Sequence, residues 1–194
     1  MVTSMIHYAI LIILTSFSIT HSSDLFPKRR DTQHLCITDQ YIKPIRALIV
    51  NTECCPSSFQ KEIHTLMSNN GVYKQLFTHP TTAGLIIKQT TNKKDPVAPY
   101  MVALMYNTPG SIQWLKRELV KGKNNSTIVF SLGYMMRKLV RYDTHPIPTL
   151  EAIFSLRDCL NKVERNEFLA HKIKAIESAR ELKKKDLVTY LLSH

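Results

Sequence analysis

The sequence predicts an all-α fold of about eight short helices, and three observations carry it. Apolar residues recur at i, i+3, i+4 and i+7 in one window after another, the spacing of a single helix face. No hairpin signal and no alternating strand of any length comes between these windows. Breaks at Gly71, Pro80, Pro96, Pro109-Gly110 and Pro146–Pro148 keep most of them short. Apolar residues make up 44% of the 194, enough for a real core, which excludes the disordered class. No run of 18 or more apolar residues occurs, so a polytopic membrane protein is excluded.

Taken in order, the chain begins with an apolar stretch, Tyr8–Ile19, followed by the small-residue site Thr20-His21-Ser22-Ser23. This reads as a signal peptide over 1–22, too short to cross ~30 Å of hydrocarbon, and predicts a secreted, extracellular protein. A polar basic tail over 23–35 holds Lys28-Arg29-Arg30, either a solvated stretch or a convertase site. The all-α domain then spans 36–194.

The first helix is expected over Gln40–Val50, with Tyr41, Ile42, Ile45, Leu48 and Ile49 on one face. The next runs Ser57–Asn69, with Ser57 or Ser58 as its cap and Asn70-Gly71 as a left-handed stop. Val72–Phe77 is a short helix, and Thr82–Gln89 reads as helix or lone strand. Asp95-Pro96 opens a helix through Tyr106, with Pro at its first position. Ile112–Val120 is amphipathic, and Thr127–Tyr142 is strongly apolar and expected to be the most buried. Thr149 caps a helix to Val163, and Asn166–Ser178 and Glu181–Leu192 complete the set. The order helix-after-Pro, Phe-led helix, short apolar helix occurs twice, predicting two diverged repeats over 36–108 and 126–194.

Four cysteines in a secreted chain predict two disulfides. Cys54 and Cys55 are neighbours, ~3.8 Å apart at Cα, too close for an ordinary bridge to each other. The open pairings are Cys36–Cys54 with Cys55–Cys159, or Cys36–Cys55 with Cys54–Cys159. Either closes a loop of about a hundred residues, worth ~4–5 kcal/mol in the chain-entropy model. Asn124-Asn125-Ser126-Thr127 contains two overlapping glycosylation sequons, at Asn124 and at Asn125, of which one could be used.

The helix at 42–50, then Phe59-Gln60, then the short helix at 72–77 resembles the insect allergen-related repeat of cockroach midgut allergens and microvillar proteins. The stretch from Ile147 to Leu191, with its Glu167-Phe168 pair, resembles the same repeat again. Asp95-Pro-Val-Ala-Pro-Tyr100 sits where that family often has a turn into its last helix. The resemblance covers residues 36–194. It implies a secreted capsule of short helices around a large apolar cavity that takes fatty acid or phospholipid. It carries over no catalytic residue. A capsule also needs inward apolar residues beyond those a tight core uses. The candidates are Ile63, Met67, Leu76, Leu85, Ile86, Met101, Leu104, Met105, Phe130, Leu132, Met135, Met136, Leu139, Ile153, Phe154, Ile173 and Ile176, and the methionines suit varied acyl chains.

An enzyme is not expected. No Gly-x-Ser-x-Gly elbow, His-Glu-x-x-His or phosphate loop is present, and no cofactor or metal is implied. His34, His64, His79, His145, His171 and His194 read as surface residues. The net charge of +11 suits an anionic membrane surface or a sulfated glycan. Nucleic acid is not expected, since no aromatics interleave the basic residues at a groove. The leading expectation is therefore a secreted carrier of fatty acid or phospholipid. The alternative is a helical cytokine- or hormone-like ligand of a cell-surface receptor, which would need several helices of about 20 residues.

Overall fold

The computed structural model describes residues 39–52, 56–92 and 94–194. In them the helical periodicity becomes ten α-helices and one 3-10 turn, with no strand among the described residues. In chain order these are α1 (Asp39–Thr52), α2 (Pro56–Asn69), α3 (Gly71–Thr78), α4 (Pro80–Thr90), α5 (Ala98–Tyr106), α6 (Pro109–Lys121), α7 (Asn125–Tyr142), α8 (Ile147–Phe154), the 3-10 turn (Arg157–Cys159), α9 (Lys162–Glu181) and α10 (Lys185–Ser193). The segments 1–22 and 23–35, and Cys36, Cys54 and Cys55, lie outside the described residues. The described residues all belong to one compact unit.

Where boundaries differ from expectation, a stronger local signal decides. Asn70 does not end α2 in a left-handed turn. It is the N-cap of α3, with φ −145° and its side chain accepting from the Val72 N–H at 2.9 Å. The start of α2 lies at Pro56 rather than Ser57, because Pro suits the first helical position. Neither Ser57 nor Ser58 caps it. The Ser57 N–H donates instead to Oδ2 of buried Asp143, 86 residues away, at 2.9 Å. Thr82–Gln89 resolves as helix within α4, led by Pro80. Pro96 precedes α5, which starts at Ala98 after Asp95 Oδ1 has accepted the N–H groups of Val97 and Ala98.

The expected helix Thr149–Val163 divides in two. Asn161 and Glu164 form a reciprocal capping box, a start signal worth ~1 kcal/mol, so Val163 belongs to the next helix. Thr149 is not a cap; it lies buried within α8 and its hydroxyl bonds the Gln60 side chain. The final break falls at Lys183, which is left-handed (φ 57°). The Lys184 N–H reaches Ala179 C=O and the Lys183 N–H reaches Arg180 C=O, the paired bonds of a Schellman stop.

The centre of the fold is α5. It is apolar on every side, which suits only a helix wrapped by others, and it packs against α2, α4, α6, α7 and α8. At its end the Tyr106 ring is stacked on Phe59 at 5.5 Å and meets Phe77 edge-on at 5.1 Å. The Tyr106 hydroxyl bonds Thr90 Oγ1 at 2.9 Å, and burial raises its pKa. The longest helices, α7 (18 residues) and α9 (20), pack along each other to one side. The remaining described helices run from 8 to 14 residues, so the set of long helices that a four-helix cytokine bundle needs is not present among them.

Candidate functional site

The residues expected around a cavity fall into three groups. Ile63, Ile86, Leu104, Leu132, Met135, Met136, Leu139 and Ile153 have no surface that water can reach. A residue lining an open cavity of acyl-chain size would show such surface, so these eight pack on every side within the core. Met105, Phe154 and Ile176 are buried to within a few per cent, and Met67, Leu76, Leu85 and Met101 are half-buried against the core. Phe130 and Ile173 point outward, 45% and 49% exposed.

Phe130 belongs instead to an outer stripe of α7. Phe130, Tyr134, Arg137 and Arg141 recur at i, i+4, i+7 and i+11, opposite the buried row Ile128, Leu132, Met135 and Leu139. The Phe130 and Tyr134 rings are stacked at 6.5 Å, and Tyr134 is 46% exposed. The helix carries Arg137, Lys138 and Arg141 but no carboxylate. Sequence reasoning placed Phe130 inward because α7 is rich in apolar residues, yet the period that separates the two rows was there to be read.

His171 of α9 holds this stripe in place. Gly133 leaves the gap it fills: a Cβ there would stand 2.1 Å from His171 Cγ. Phe130 meets the imidazole edge-on at 6.3 Å. Arg137 donates to His171 Nδ1 at 3.1 Å, which leaves the proton on Nε2, toward Glu167 Oε1 at 3.9 Å. The pKa of His171 is lowered, first by burial and then by Arg137, with Glu167 opposing.

A second feature is an open cleft of about 370 Å³, walled by Pro96, Pro99 and Tyr100 and edged by Lys88, Asp95 and Asn124. Its Tyr100 ring is stacked on Trp114 at 5.9 Å. The two sequon asparagines differ here. Asn124 is exposed at the cleft, whereas Asn125 Nδ2 donates to Glu164 Oε1 at 2.8 Å and its Oδ1 is buried without a partner.

The cysteine expectation is corrected at Cys159. It is a free thiol, so neither pairing that ties it to Cys54 or Cys55 is formed. Half-buried in the 3-10 turn, it packs against the apolar core, where a free cysteine serves as a small hydrophobe. Among the described residues no group of three or more His, Cys, Asp or Glu could hold a metal ion. No described helix is long and apolar enough to cross a membrane. Of the basic residues near the C-terminus, Lys184 has a structural task, its Nζ donating to Val140 C=O at 2.7 Å at the end of α7. Set against known protein families, curated proteins and solved structures, the chain matches none. The insect allergen-related resemblance therefore rests on its apolar spacings alone.

Proposed function

We propose that the chain is a secreted protein that binds anionic phospholipid on its outer face, at the α7 stripe. The observation that carries this reading is the exposed, stacked Phe130–Tyr134 pair in line with Arg137 and Arg141, on a helix without a carboxylate. The amphipathic Tyr134 ring suits the headgroup level of a bilayer, the Phe130 ring beside it is wholly apolar, and a basic residue near an anionic surface is worth ~1 kcal/mol. The net charge of +11 draws the whole molecule toward such a surface. Phospholipid, expected from the sequence, stays the ligand class; the binding site moves from an enclosed cavity to the surface, because the inward residues are close-packed. The two diverged repeats over 36–108 and 126–194 belong to the same proposal. They are supported by buried Phe59 of α2 and buried Phe168 of α9, each followed by a short helix, α3 and α10.

Co-sedimentation with phosphatidylcholine vesicles, with and without phosphatidylserine, tests the reading. The protein partitions to the phosphatidylserine vesicles, releases as salt is raised, and loses about five-fold in affinity on Arg141→Gln, the equivalent of ~1 kcal/mol. Equal partition to both vesicles, retention on a sulfated glycan but on neither vesicle, or a fatty acid released from the purified protein by organic extraction would each overturn it.

A further inference from the structure

We infer that Asn124, and not Asn125, is the glycan acceptor of the overlapping sequons, and that its first sugar seats in the cleft walled by Pro96, Pro99 and Tyr100. The inference rests on the reading that the chain enters the secretory pathway. Both asparagines satisfy the acceptor pattern, Asn124 through Ser126 and Asn125 through Thr127, so the sequence leaves them equal. The fold separates them. At Asn125 the amide nitrogen that would carry the sugar faces Glu164 at 2.8 Å. Glu164 is itself buried and fixed by the Asn161 backbone N–H at 2.9 Å and the Asn161 amide at 2.7 Å. The Asn125 Oδ1 is enclosed as well. A sugar there would have to displace the capping box that starts α9.

Asn124 is not enclosed in this way: its side chain hydrogen-bonds the Tyr100 phenol at the wall of the open cleft and stays exposed. It sits just before α7, its side chain makes no capping bond, and it is exposed. It opens onto the cleft of about 370 Å³, beside the Tyr100 phenol. The proline and tyrosine surfaces offer an apolar wall to the sugar ring, and Asp95 and Lys88 stand at the edge for its hydroxyls. A large polar ligand held on apolar walls with a few convergent polar groups is the usual form of such a site.

Two substitutions separate the acceptors, because each removes one sequon and leaves the other whole. Ser126→Ala destroys only the Asn124 acceptor, and Thr127→Ala destroys only that of Asn125. The full chain is expressed in a eukaryotic secretory line, once with its own leader and once behind an added signal sequence. Glycosidase-sensitive mass is then measured. The expected result is one glycan on the unaltered chain, retained in Thr127→Ala and lost in Ser126→Ala and in Asn124→Gln. Two glycans, none behind the added signal, or loss in Thr127→Ala with retention in Ser126→Ala overturns the inference. Glycosylation only behind the added signal would count against secretion while leaving the choice of acceptor standing.

Discussion

Two of the helix pairs that meet at a glycine fill the space it leaves in opposite ways. Between α4 and α6, Gly84 admits the Trp114 indole: a Cβ there would stand 2.4 Å from Cδ1. That ring is nearly inaccessible and stacked on Tyr100, so the contact is dry and apolar. Between α7 and α9, Gly133 admits His171, a titratable ring shared with Phe130, Arg137 and Glu167 at the edge of the surface. Close approach of helices is one device. What occupies the gap decides whether it serves as core or as the support of an exposed face.

Removing the two rings breaks the comparison most sharply. Trp114→Ala costs ~3–5 kcal/mol of unfolding free energy in urea, the loss typical of a large buried aromatic. His171→Ala, whose ring is half-buried, costs about 1 kcal/mol. Equal losses would show that the two contacts carry the same weight.

A smaller effect comes from filling the gap instead. Gly133→Ala sets its methyl against His171 Cβ and Cγ, atoms tied closely to the α9 backbone, so the two helices must separate. The cost is ~1–3 kcal/mol, and the double variant with His171→Gly, which also removes the Cβ, recovers most of it relative to His171→Gly alone. Additive losses in that cycle would refute the close contact.

The smallest effect is pH dependence, confined to the α7–α9 contact. Because the pKa of folded His171 lies below 6.5, the unfolded chain binds the proton more readily. The stability His171 contributes is therefore complete above 6.5 and is lost as pH falls through the lowered folded value. Compared with His171→Gln, the unaltered protein loses more stability between neutral and mildly acid pH. Parallel pH profiles would show that the ring is not held neutral.

The helical class was legible because spacing at 3.6 residues survives any tertiary arrangement, and α7 matched expectation to within two residues at its start. Boundaries failed where one residue type serves two purposes. Asn70-Gly71 reads as a stop, yet Asn70 starts α3. Thr149 has the chemistry of a cap, but Pro146 and Pro148 before it let α8 begin earlier, and its hydroxyl is taken by Gln60. The division between α8 and α9 was written in Asn161-x-x-Glu164 and was outweighed by the apolar run on either side. The cavity could not be told from a core in sequence, since both need the same inward row; zero accessibility at Leu104 or Met135 is a property of packing. The α7 stripe was legible in part. Its period is plain, but only the fold shows that α9 supports one flank of it with His171.

Asp143 and Thr149 give the fold a direction in time. As the chain leaves the ribosome, α2 emerges with the Ser57 N–H uncapped and Gln60 unpaired. The groups that satisfy them follow 86 and 89 residues later. Until that length has been made, the first half carries polar groups whose native partners do not yet exist. Until then water takes their place. The two halves are therefore not interchangeable modules: the earlier one is completed by the later, and a truncation before Asp143 would leave α2 without the cap on which its start depends.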